Sequence, residues 1–102
     1  MTTFDDREKG FERKFALDAE QEFKATARRN RMLGEWAAGL MGLESPEEYV
    51  RAVVKSDFEM PGDDDVLRKV AADLGGKATE AEIRTKMAEM MAKAKDQLRA
   101  EF

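Results

Sequence analysis

Leu74-Gly75-Gly76-Lys77-Ala78-Thr79-Glu80-Ala81-Glu82-Ile83 (residues 74–83) closes one helix and opens another. Two successive glycines end a helical pattern, because glycine enters left-handed backbone at little steric cost. Thr79 and Glu82 then stand at the spacing of a capping box. In that device the hydroxyl accepts from an N–H of the first turn, and the carboxylate accepts from the N–H of the capping residue. Ile83, Met87, Met90, Ala94 and Leu98 follow at helical spacing. Reading backwards, Val66, Leu67, Val70, Ala71 and Leu74 form the apolar face of the helix that Gly75 stops. Asp63, Asp64 and Asp65 stand at its start, where the helix dipole favours acid. They lack the alternate-ligand spacing of a calcium loop, so N-capping is the expectation for them.

Further out, Pro61-Gly62 breaks the chain before this helix. Ser45-Pro46-Glu47-Glu48 opens the helix preceding the break. Ser45 reads as its N-cap, Pro46 as its first helical residue, and Glu48 as the partner in a second capping box. Tyr49, Val50, Val53, Val54 and Phe58 supply the apolar face. The first helical pattern covers about residues 5–41 and stops at Gly42. Its later half carries Phe23, Leu33, Trp36, Ala37, Leu40 and Met41. Gly34 and Gly39 interrupt it, either to let a second helix approach or to soften the first. No strand-like alternation competes, and no internal repeat appears. The expected fold is all-α, a four-helix bundle with an overhanging N-terminal segment. Trp36, Phe58, Val70 and Met87 are expected among its buried residues. Met87, Met90 and Met91 read as core filler, although Met-rich faces also line adaptable binding surfaces.

The front of the chain differs in kind. Phe4, Phe11 and Phe15 fall within roughly 40° of one another on a helix. Asp5, Asp6, Arg7, Glu8, Lys9, Glu12, Arg13 and Lys14 surround them. A narrow aromatic stripe with a solvated back has too little apolar surface to fold alone, and Gly10 weakens its helix further. Such a stripe suits a groove on another protein. It also suits the first turns of an ordinary bundle helix. Helix lengths weigh between the two. One helix over residues 4–41 would be about 57 Å long, against about 33 Å for the last helix. The front third must therefore overhang, bend back or lack fixed structure. Residues 1–18 are expected to be a flexible partner-seeking segment and residues 19–102 the bundle, with Phe4, Arg7, Lys9, Phe11, Arg13, Lys14 and Phe15 as partner-binding residues.

Composition narrows the chemistry. The chain has 102 residues, enough for one domain with one core. It has no Cys and no His, which removes thiol chemistry, the Ser-His and Cys-His nucleophile systems and the usual zinc sets. No catalytic residue and no metal ligand is assigned, and the expectation is a protein that is not an enzyme. Charged residues make up 39% of the chain, yet its net charge is only -4. The basic footprint of a nucleic-acid binder is missing. No apolar run suits a bilayer span and no signal-peptide core opens the chain, so a soluble, cytoplasmic protein is expected. Arg28, Arg29 and Arg31 form the one dense basic cluster. It reads as a solvated helix face or as arginine forks for phosphate or carboxylate. A Walker-type phosphate loop is absent from the sequence.

Three stretches carry a family resemblance: Met1-Thr2-Thr3-Phe4-Asp5-Asp6-Arg7-Glu8; residues 27–42, from Ala27-Arg28-Arg29-Asn30 to Leu40-Met41-Gly42; and Val53-Val54-Lys55-Ser56-Asp57-Phe58-Glu59 with Gly62-Asp63-Asp64-Asp65-Val66. They resemble the zeta subunit, the small inhibitor of the F-type ATP synthase in alphaproteobacteria. The resemblance implies a four-helix bundle whose N-terminal segment inserts at a catalytic interface of the ATPase head and blocks rotation in the hydrolytic direction. It implies ADP or ATP as a regulatory ligand, for which Arg28 and Arg29 are the candidate phosphate contacts, and no required cofactor. The implied partner is the catalytic head of the F-type ATP synthase, with the protein cytoplasmic, peripheral to the membrane-bound enzyme and a monomer when free. The alternative is a generic helical interaction module or adaptor with another partner.

Overall fold

The computed structural model describes residues 19–101. The assignments made to residues 1–18, including Phe4, Arg7, Lys9, Phe11, Arg13, Lys14 and Phe15, lie outside the described residues. Among the described residues there are four helices and no strand: α1 (Ala19–Met41), α2 (Pro46–Glu59), α3 (Asp63–Leu74) and α4 (Glu80–Ala100). The all-α bundle read from the sequence is therefore the fold. Helix α1 is the hub and packs most extensively on α2 and α4, while α3 bridges α2 and α4.

Two left-handed glycines stop helices where the sequence placed the stops. Gly42 has φ +68° and Gly75 φ +57°. Behind Gly42, the Leu43 N–H donates to the Ala38 carbonyl at 3.1 Å, using an acceptor that the helix end would leave open. The Gly75 N–H does the same to Ala71 at 3.2 Å. The box at Thr79 is complete: the Glu82 N–H donates to its hydroxyl at 3.1 Å, and its own N–H donates to the Glu82 carboxylate at 3.1 Å.

The core joins all four helices. Leu33, Ala37, Val53, Val66, Leu67, Val70, Leu74, Ile83 and Met87 are buried in one cluster, with Trp36, Tyr49 and Met90 packed partly buried against it. Each fully buried aliphatic side chain stabilises by about 1.5–3 kcal/mol relative to exposure. Val70 and Met87 lie where the sequence put them, and Met87 and Met90 serve the core. Beyond this cluster, the Tyr49 hydroxyl donates to Asp73 at 2.8 Å, and the Lys69 ammonium sits 5.6 Å from the Tyr49 ring centre. Partial burial, followed by the Asp73 carboxylate, pushes the Tyr49 phenol well above its ordinary range.

Several local expectations are corrected. Ser45 occupies the N-cap position of α2, but its side chain makes no capping bond, so the second capping box does not form. Asp63, Asp64 and Asp65 lie inside the first turn of α3 behind Gly62 at the N-cap, and none of them caps it. Their carboxylates go instead to Arg29, Arg84 and Arg68. Trp36 is only partly buried. Phe58 is 73% exposed. Asp57 takes the position facing α1, and the next residue on a helix points about 100° away. Of the two helical glycines, Gly34 permits a close approach: a Cβ there would stand 3.0 Å from the Val50 Cα. Gly39 faces open space.

Candidate interaction surface

Below the apolar core, α1 meets α2 and α3 through polar groups. Arg29 and Asn30 are each only 1% exposed. A buried guanidinium must be paired and hydrogen-bonded to be tolerated. Arg29 donates through Nε to the Asn30 Oδ1 at 2.8 Å and through Nη2 to the Asp63 Oδ1 at 3.0 Å. Asn30 in turn donates through Nδ2 to the Asp57 Oδ2 at 2.8 Å. The other oxygen of Asp57 accepts the Gly62 N–H at 3.3 Å. One chain of hydrogen bonds thus ties α1, the last turn of α2, the 60–62 link and the start of α3. No buried side-chain polar atom among the described residues lacks a partner.

This joint floors a groove of about 520 Å³ between the first half of α1 and the end of α2. Its walls are apolar, from Phe23, Ala27, Val54, Phe58 and Pro61. Phe23 is 61% and Phe58 73% exposed, and Met60, between Phe58 and the 61–62 break, is 64% exposed. Large aromatic side chains displayed together at one end of a small protein mark an interaction site. Among the described residues the lining also holds Glu22, Asp57 and Asp63, and neither Lys nor Arg. Each of these acids already has a partner in the bundle, Lys95, Asn30 and Arg29 in turn, so the groove suits an apolar occupant.

The arginine cluster is split by the fold. Arg29 points inward to the joint. Arg28 turns toward α4, donating to both oxygens of Glu101 at 2.8 and 3.3 Å and to the Gln97 Oε1 at 3.3 Å. The Arg28 hydrogen bond holds the Glu101 carboxyl below its usual range. Arg31 is exposed. The two guanidinium groups expected to face phosphates as a pair thus engage different helices. Arg28, Arg31 and Lys24 do share the lining of another, smaller cleft of about 360 Å³, together with Phe23, Leu98 and Glu101. Among the described residues, no group of three or more acidic, His or Cys residues is placed to hold a metal ion. No described helix is long and apolar enough to cross a membrane.

The polar joint and the groove escaped the sequence reading. One signal for the joint was available: Asn30 falls on the stripe of Leu33 and Ala37, and a polar residue at a core position asks for a buried partner. For the groove there was no signal, because Phe23 and Phe58 look like core residues in a helical pattern.

Comparison with known proteins places this geometry in a family. Residues 1–97 match the family model described as ATPase inhibitor subunit zeta. No curated protein matches. A structure solved by solution NMR is 48% identical, with a TM-score of 0.70, and the similarity covers 79% of this chain and 98% of the other. The family match takes in both the bundle and the aromatic segment before it, and the chain therefore belongs to the ATPase inhibitor subunit zeta family.

Proposed function

We propose that this protein restrains ATP hydrolysis by the catalytic head of an F-type ATPase, with residues 1–18 entering a catalytic interface and the bundle acting as their holder. The observation that carries the proposal is that the family match begins at residue 1 and so contains Phe4, Phe11 and Phe15. Aromatic anchors on one helical face are the kind of residue that dominates binding energy. Arg7, Lys9, Arg13 and Lys14 flank them and would guide association with acidic groups at the rim. The protein acts by occupying an interface and needs no chemistry of its own. Its site of action is the cytoplasmic face of the membrane that carries the ATPase, and it arrives there as a monomer.

The test is ATP hydrolysis by purified ATPase head titrated with the full chain and with a Phe11→Ala, Phe15→Ala double variant. The full chain should inhibit, and the double variant should need at least about 30-fold more protein, the equivalent of one lost hot spot of about 2 kcal/mol. Equal inhibition by both would move the binding surface off the aromatic stripe.

Regulation by ADP or ATP belongs to the same reading. Its support is the cleft where Arg28 stands with Lys24 and Arg31, beside the Phe23 ring. Arg29 would contact a phosphate only if the joint with Asp63 opened. Amide shifts on ADP titration should centre on Lys24, Arg28 and Arg31, and Arg28→Gln should weaken them. Shifts elsewhere that ignore Arg28→Gln would remove this site.

A further inference from the structure

We propose that in the free chain residues 4–15 fold back along the groove between α1 and α2, so that the aromatic stripe meant for the ATPase is held against Phe23, Val54 and Phe58. The described residues leave the groove open, with Phe23 61% and Phe58 73% exposed. What covers it is indicated by where the chain enters. Ala19, the first described residue, lines the groove, and Asn30 lines it further along α1. From Ala19 to Asn30 the helix rises about 16 Å. Phe4 and Phe15 are separated by the same number of residues, so a helix carrying the stripe has the same length of about 16 Å. Ala16, Leu17 and Asp18 lie between them and α1. A link of that size reverses a helical chain in ordinary bundles.

Apolar character agrees with length. The groove's acids, Glu22, Asp57 and Asp63, are already engaged by Lys95, Asn30 and Arg29, so its apolar wall is what an occupant meets. The segment balances Arg7, Lys9, Arg13 and Lys14 against Asp5, Asp6, Glu8 and Glu12, so its three phenylalanines are what it brings to that wall. Because occupant and groove belong to one chain, closure runs at a local concentration in the millimolar range, and weak contacts suffice. The consequence for inhibition rests on the function proposed above: the ATPase interface competes with the groove for one stripe, and the apparent affinity falls by the fraction of chains that are open.

Two arms test this. The sequence has no Cys, so Thr3→Cys in the full chain accepts a single nitroxide label. Fold-back brings residue 3 beside Asn30 and Val54. Their amide signals should then broaden more than those of Glu20 and Gln21, although the latter are nearer in sequence. Phe58→Ser in the labelled chain should abolish that broadening. The reverse gradient, with Glu20 and Gln21 broadened more, overturns the proposal. So does broadening that appears when nitroxide-labelled chain without isotope is mixed with isotope-labelled chain without nitroxide, because the occupant is then a second copy. In the second arm, Phe58→Ser should lower the concentration needed to inhibit the ATPase by up to about tenfold, the gain expected if nine-tenths of free chains are closed. Loss of broadening with no gain in potency overturns the competition between groove and ATPase. If no form of the chain inhibits, the proposed function fails, while the label still decides the fold-back.

Discussion

Helices α3 and α4 face the core with apolar groups alone: Val66, Leu67, Val70 and Leu74 from one, Ile83 and Met87 from the other. Helices α1 and α2 meet differently. Leu33, Ala37 and Val53 reach the same core, but one turn away the contact passes to Arg29, Asn30 and Asp57, and beyond these to open aromatic rings. The difference is one of specificity. Apolar side chains stabilise wherever they find cover and tolerate small shifts of register. A hydrogen-bonded chain such as Arg29–Asn30–Asp57 is satisfied in one register only, and a half-satisfied version is worse than none. In this bundle the apolar half supplies stability, and the polar half fixes how α2 and the 60–62 link stand against α1. That is also where the groove is formed.

The comparison breaks most readily in the apolar half. Leu74 is 1% exposed and belongs to the shared core. Leu74→Ala should cost about 3 kcal/mol through lost transfer energy and the cavity left behind. The denaturant midpoint should fall sharply with little change of slope. A midpoint within error of the parent would mean that α3 is not integral to the cooperative core.

In the polar half the expected loss is smaller and depends on what replaces the arginine. Arg29→Ala removes two hydrogen bonds and a buried stem, and it leaves the Asn30 Oδ1 without its donor. Asp63 has a side chain 68% exposed, so its carboxylate returns to water instead of remaining buried and unpaired. A cost of about 2–3 kcal/mol follows, below that of a wholly buried pair. Arg29→Met keeps most of the stem, and should cost less than Arg29→Ala while still loosening the 60–62 link. Amide exchange at Gly62 should quicken in both variants. If Arg29→Met matched the parent in stability and in Gly62 exchange, the joint would be packing alone.

The two glycines of α1 sharpen the comparison by opposite signs. At Gly34 an added Cβ would lie 3.0 Å from backbone of α2, which cannot yield as a side chain would. Gly34→Ala should therefore destabilise by about 1–2 kcal/mol, overpacking outweighing the gain in helix propensity. At Gly39 nothing lies within reach of the new Cβ. Gly39→Ala should stabilise by up to about 1 kcal/mol. Thermal melts of the two variants should move in opposite directions from the parent.

How much of this was written in the sequence follows from the same physics. Helix limits were legible because stops and starts are local: Gly42, Gly75, Pro46 and Thr79 act through neighbours a few residues away. Val70 and Met87 were legible because burial repeats with the helix. The joint was not, since Arg29 sits between Arg28 and Asn30 in a charged stretch and finds Asp63 only 34 residues on. Phe58 was misplaced for the same reason: nothing local tells that Asp57 will take the inward position beside it. The candidate surface depends on both, so the sequence offered its aromatic residues without their arrangement. The aromatic stripe itself lies outside the described residues, and there the sequence and the family are what speak.

The two loops carry the comparison down to single caps. Thr79 and Ser45 have the same promise in sequence, each followed three residues later by Glu. At Thr79 the exchange of bonds with Glu82 is complete, with Ala78 next to it buried in the core cluster. At Ser45 the backbone has φ -119° and ψ 81°, and the hydroxyl makes no capping bond. A cap is worth something only if its oxygen meets an N–H that water would otherwise have to satisfy. Thr79→Ala should therefore cost about 1 kcal/mol, and Ser45→Ala should stay within about 0.3 kcal/mol of the parent. Denaturant melts of the pair measure the difference directly. Equal losses would show that the hydroxyl of Ser45 reaches the α2 terminus in solution, and the two hairpins would then be closed alike at their loops.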